Sequence, residues 1–148
     1  MIDRTARLAA ADLLERFLRG SATNDELEDG WPTSGSDSAL SQIEFHIWGT
    51  YDDMSEYRLE PSTLPEETKA LYSRTVLFLR TNLEYEWPEL PAFRLGATVL
   101  AFATLGLSRV LSIRKRARFR ASGDLGVWPF LRRSDFEEAA RLQPVQAE

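Results

Sequence analysis

Residues 3–20 read DRTARLAAADLLERFLRG. Leu8, Ala11, Leu14 and Leu18 recur every three or four positions, and Leu13 and Phe17 widen the stripe. That period belongs to an amphipathic helix running from about Asp3 to Arg19, with Gly20 as its stop. The same periodicity returns downstream. Leu40, Ile43, Ile47 and Tyr51 mark a second helix from Ser38 to about Met54, with Asp37 as its cap and Phe45 and Trp48 beside the stripe. A third helix is expected to start where Thr63 and Glu66 have capping-box spacing and Pro65 occupies the first turn. It should run through Leu71, Tyr72, Val76, Phe78 and Leu79 to about Asn82. A fourth is expected over about Phe93–Arg120, or broken near Gly106, with Gly96 and Gly106 otherwise permitting close packing, and a short one from Ser134, spaced from Glu137 as in a capping box, to near Leu142.

Between the first two helices, residues 20–37 form a long polar loop in which Thr23 and Glu26 could cap a single helical turn. The tail 143–148 should fray. No segment alternates apolar and polar residues convincingly, and no period of about 20–50 residues repeats. The expected fold is all-α: one domain over 1–148, a helical bundle of about four main helices plus short ones.

Composition narrows the function classes. The 148 residues are 43% hydrophobic and 28% charged, enough for a core and too apolar for a disordered chain. Cysteine is absent, which excludes disulfides, thiolate metal sites and cysteine nucleophiles. His46 is the single histidine, so a Glu-x-x-His di-iron bundle is excluded too. On a helix His46 shares a face with Gln42 and with Asp53, but two turns, about 10 Å of rise, separate it from that carboxylate. Asp52, Asp53 and Glu56 lack the spacing of a calcium loop. The glycines are scattered, with no phosphate-cradling motif and no nucleophile elbow at Ser34-Gly35-Ser36. Neither a metal nor an organic cofactor is expected.

Charge is split along the chain. Residues 1–93 carry 8 basic and 18 acidic residues, whereas 94–148 carry 10 and 5. The densest cationic run is Arg114-Lys115-Arg116-Ala117-Arg118-Phe119-Arg120, following the apolar stretch Leu95–Leu107. Guanidinium groups at that density attract phosphate, whether of lipid or of nucleic acid. The 13 apolar residues are fewer than the roughly 20 that a spanning helix needs, so they are expected in the core. Met1–Gly20 lacks the continuous apolar stretch of a signal peptide, and the cytoplasm is the expected location, with the inner membrane face as an alternative.

Three tryptophans precede proline: Trp31, Trp87 and Trp128. Proline holds each preceding residue in extended backbone. Trp87 and Trp128 are expected to plug the bundle. Trp31 stands in the polar loop beside Asp25, Glu26, Glu28 and Asp29, with little apolar nearby, and reads as an anchor for a partner.

The stretches FLRTNLEYEWP (78–88) and SGDLGVWPF (122–130) resemble segments of small bacterial proteins of unknown function. The resemblance covers the C-terminal half at most and carries no functional residue with it. The residues themselves point to a non-enzymatic protein-binding module, for instance an immunity- or antitoxin-like inhibitor of a basic partner. Its face would be Asp25, Glu26, Glu28, Asp29 and Trp31, with the acids steering encounter. The alternative is peripheral membrane or nucleic-acid association through Arg114, Lys115, Arg116, Arg118 and Arg120. A third reading is a hydrolase or transferase using His46.

Overall fold

Asp3 initiates the first helix: its carboxylate accepts the Ala6 N–H at 3.0 Å, satisfying one of the amides that a helix start leaves bare. The computed structural model describes residues 1–52, 54–88 and 119–142, and in these the fold is all-α, with no strand among the described residues. The helices are α1 (Arg4–Leu18), α2 (Asn24–Asp29), α3 (Ser38–Trp48), α4 (Glu66–Leu79) and α5 (Arg133–Leu142). Residues 119–122 are also helical, and Leu125–Val127 form a 3-10 turn. Leu95–Leu107, like most of the expected fourth helix, lies outside the described residues.

Packing of α1 on α4 is the main helix pairing, with α5 also against α4 and α2 and α3 against α1. The inward face of α1 is Arg7, Ala10, Ala11, Leu13, Leu14 and Phe17. Leu8, expected on that stripe, is 39% exposed, and Arg7 takes its place in the interior. α4 contributes Tyr72, Val76, Phe78 and Leu79 to the same core. Each such large side chain, fully buried, contributes about 1.5–3 kcal/mol over exposure. Gly20 follows α1 at φ +70°, where a Cβ would collide with the Leu59 carbonyl oxygen, so the chain can turn here only with glycine.

Arg7 is fully buried because it meets Asp37. Its Nε and Nη2 donate to the two carboxylate oxygens at 2.6 and 3.0 Å, and Nη1 donates to the Leu83 carbonyl at 2.7 Å. The guanidinium carbon lies 5.2 Å from the centre of the Phe78 ring. Asp37 also accepts the Asp3 N–H and, as the cap of α3, the Ala39 N–H. Burial alone would raise the Asp37 pKa. The Arg7 hydrogen bond and charge, with the two backbone donors, outweigh it and hold the carboxyl below its ordinary value. The Arg7–Asp37 pair thus joins the starts of α1 and α3 to the segment after α4.

Four expected boundaries shift, among them the end of α4, at Leu79 rather than about Asn82. α3 ends at Trp48 rather than near Met54, since the Thr50 hydroxyl and N–H both donate to the Ile47 carbonyl and close the helix at Gly49. The Thr63–Glu66 capping box does not form: Thr63 donates its hydroxyl to the Glu60 carbonyl, and α4 starts after Pro65 with no side-chain cap. Ser134 lies inside α5, which begins at Arg133, and so caps nothing. The box at Thr23 does form, with Glu26 N–H on the Thr23 hydroxyl (3.1 Å) and Thr23 N–H on the Glu26 carboxylate (2.7 Å). The loop 20–37 therefore contains a six-residue helix.

Candidate functional site

The start of α2 is pinned by Asn24, which is buried and joins this helix to the loop after α3. Its side-chain amide donates to the Asp52 and Ser55 carbonyls and accepts the Tyr57 N–H at 2.7 Å. At the other end, a Cβ on Gly30 would lie 2.7 Å from the Glu26 carbonyl oxygen and 3.1 Å from Leu13, so glycine lets the chain pass close over α1. The next residue, Trp31, is turned inward by that turn. It is 7% exposed, and its indole N–H donates to the Leu40 carbonyl at 3.2 Å. The expectation of a projecting anchor is corrected here: the apolar surface that Trp31 lacks in its own loop is supplied by α3.

With Trp31 as its floor, an open groove of about 310 Å³ runs between α2 and α3. Leu27 and Glu28 form the α2 wall. Ser41, Glu44, Phe45 and Trp48 form the α3 wall, on successive turns beside the buried Leu40–Ile43–Ile47 stripe, and Tyr51 closes one end. Trp48 is 49% exposed, an unusual state for the largest apolar side chain. Among the described residues, neither the Glu28 nor the Glu44 carboxylate has a cation or hydrogen-bond donor. Partial burial raises the Glu44 pKa, and the Glu28 charge raises it further, so the two carboxylates sense each other.

The other residues of the expected acidic face are divided. Glu26 is 3.9 Å from Arg16 and 3.8 Å from Arg58, and its capping contact makes it part of the fold. Asp25 and Asp29 are exposed at either end of α2. Of the cationic run, Arg114, Lys115, Arg116 and Arg118 lie outside the described residues, and Arg120 is exposed. Phe45, Glu44 and Trp48 were not expected to line a site. The signal for them is a second helical stripe, Ser41–Glu44/Phe45–Trp48, that carries aromatic and acidic groups next to the core stripe.

His46 faces away from this groove, into a column of rings. Trp128 stacks on it with centroids 4.5 Å apart, Phe119 lies 5.8 Å away on a nearly parallel plane, and Trp87 continues from Phe119 at 4.7 Å. Its Nδ1 is 2.7 Å from the Gln42 carbonyl, so that nitrogen carries the proton and donates. Burial lowers its pKa, and the Gln42 hydrogen bond only partly opposes this. The column fastens residues 119–130 to α3 and to the segment after α4. Trp87, 3% exposed, donates to the Pro129 and Phe130 carbonyls at 3.1 and 3.2 Å, and the Trp128 indole donates to the Tyr85 hydroxyl. Burial pushes the Tyr85 phenol up to about 12. Trp87 and Trp128 are plugs, as expected.

Among the described residues, no group of three or more potential ligands is placed to hold a metal, and no helix is long and apolar enough to cross a membrane. No family model, curated protein or solved structure matches the chain.

Proposed function

We propose that this protein is a non-enzymatic binding module that recognises a basic partner protein through α2 and the groove beside it. The observation that carries the reading is Trp48, half exposed next to two carboxylates that lack cations among the described residues. Exposed aromatic surface rimmed by charge is the composition of a protein interface: the aromatic supplies affinity and the charges supply steering and selectivity. Asp25 and Asp29 extend the negative field along α2. An inhibitor of a cationic toxin, of immunity or antitoxin type, working in the cytoplasm, is the concrete form of this reading.

Charge reversal tests it, because Glu28 and Asp29 are exposed and their replacement leaves the core intact. Wild type and the Glu28→Lys/Asp29→Lys variant are compared by quantitative affinity capture, with melting curves to verify the fold. Retention of a basic protein by wild type and its loss from the variant is the expected result. Equal recovery by both overturns the reading.

The exposed Arg120 favours a second reading, association of the segment 109–120 with anionic lipid or nucleic acid. Flotation with anionic vesicles and RNA binding, each at two salt concentrations, test it. Charge-driven binding must weaken steeply with salt.

A further inference from the structure

Many carboxylates of the first 88 residues have cations beside them. Asp12 and Glu15 meet Arg80, Glu26 meets Arg16 and Arg58, Asp37 meets Arg7, Glu66 meets Lys69 and Glu86 meets Arg132. Others, among them Asp25, Asp29, Glu60, Glu67 and Glu84, have no ion pair among the described residues, but each is an exposed surface group. Glu28 and Glu44 differ, since they stand on opposite walls of the groove whose floor and sides are Trp31, Phe45 and Trp48. A negative rim over an aromatic floor has a definite complement: a cation with a flat, weakly hydrated head and an apolar stem.

We infer that the groove between α2 and α3 is the anchor site for one arginine side chain of the basic partner. Its guanidinium lies at the Glu28–Glu44 rim and its stem against Trp48 and Phe45. The inference rests on the protein-binding reading and names the residue that the site selects. The groove's volume, about 310 Å³, is suited to a single long side chain rather than a whole helix laid lengthwise. Arginine fits better than lysine for two reasons. Its fork can donate to two separate carboxylates at once, and its planar face stacks on an indole without shedding a tight hydration shell. Burial first, and the Glu28 charge second, hold Glu44 above its ordinary pKa, and a bound cation offsets the repulsion between the two, so binding should weaken as acid protonates the rim.

The test uses the full chain and three blocked tripeptides with a central arginine, citrulline or lysine, followed through the Trp48 indole N–H resonance. Tetramethylammonium is a fourth probe. The arginine peptide should give a saturable shift, at least about tenfold tighter than citrulline, which has the same shape without the charge. The Glu28→Gln/Glu44→Gln variant should lose about the same factor with an unchanged melting temperature, both side chains being exposed. Equal binding of citrulline, lysine binding as tightly as arginine, competition by tetramethylammonium at arginine's concentration, or no saturable shift each overturns the assignment. The two levels fail separately. A partner still captured through Glu28 and Asp29 while the arginine peptide is silent removes the arginine assignment alone. A peptide that binds while wild type and charge-reversed chains capture identically removes the protein-binding reading.

Discussion

Replacing Asp37 by asparagine keeps the shape of the side chain and deletes its charge, leaving the fully buried Arg7 without a counter-ion. The α3 cap survives, since the asparagine side-chain oxygen can still accept the Ala39 N–H. What is lost is the charge and the 2.6 Å contact at the other oxygen, where an amide NH2 would now face the donors of Arg7 Nε and Asp3 N. Removing one partner of a buried ion pair costs about 3–5 kcal/mol, because the survivor stays desolvated and unpaired. Against a total stability of about 5–15 kcal/mol, that is a fifth or more of what holds a domain together. The melting temperature should fall by about 6–20 °C. Urea unfolding followed by far-ultraviolet circular dichroism reads the same loss as a lower midpoint. The Arg7→Met/Asp37→Leu double variant should be more stable than Asp37→Asn, since two apolar groups leave no stranded charge. The pH dependence carries an independent check. A carboxyl held below its ordinary pKa in the folded state contributes stability above about pH 4, and that contribution is lost as pH falls through the folded value. The asparagine variant should lack this acid limb. A loss under about 1 kcal/mol, the range of an exposed pair, would refute the placement of Arg7 in the core.

Three further outcomes are expected. His46 is held neutral by burial, so stability should be full above about pH 6.5 and decline as pH falls below it; in His46→Phe the difference in melting temperature between about pH 7.5 and pH 5.5 should shrink. Gly20→Ala, forced into left-handed backbone against the Leu59 carbonyl, should lose at least about 1 kcal/mol by urea titration. Trp87→Phe keeps a ring in the column but deletes the indole donor to two buried carbonyls, at about 1–3 kcal/mol, and limited proteolysis should cut residues 119–142 faster.

Local features were legible in the sequence, and contacts between distant residues were not. The Asp37 cap, the Gly20 stop and the Thr23–Glu26 box depend on neighbours within a few positions, and all three stand in the structure. Arg7 was not legible: periodicity assigns a charge to the solvent face, and only Asp37, 30 residues on, turns it inward and displaces Leu8. Thr63 and Glu66 have the spacing of a cap, but a local turn at Glu60 uses the hydroxyl first. Of the site, Glu28 was legible as part of an acidic stretch in the polar loop. The groove was not, because it exists only once the turn at Gly30 has placed Trp31 under α3, leaving Trp48 rather than Trp31 half exposed.

A photo-reactive phenylalanine analogue placed at Trp48, with the same analogue at the exposed Glu67 as a reference, tests most directly whether this groove meets a protein. A covalent adduct to a basic protein at position 48 and none at position 67 is the expected result. No adduct at 48, or the same adducts at both positions, would contradict it.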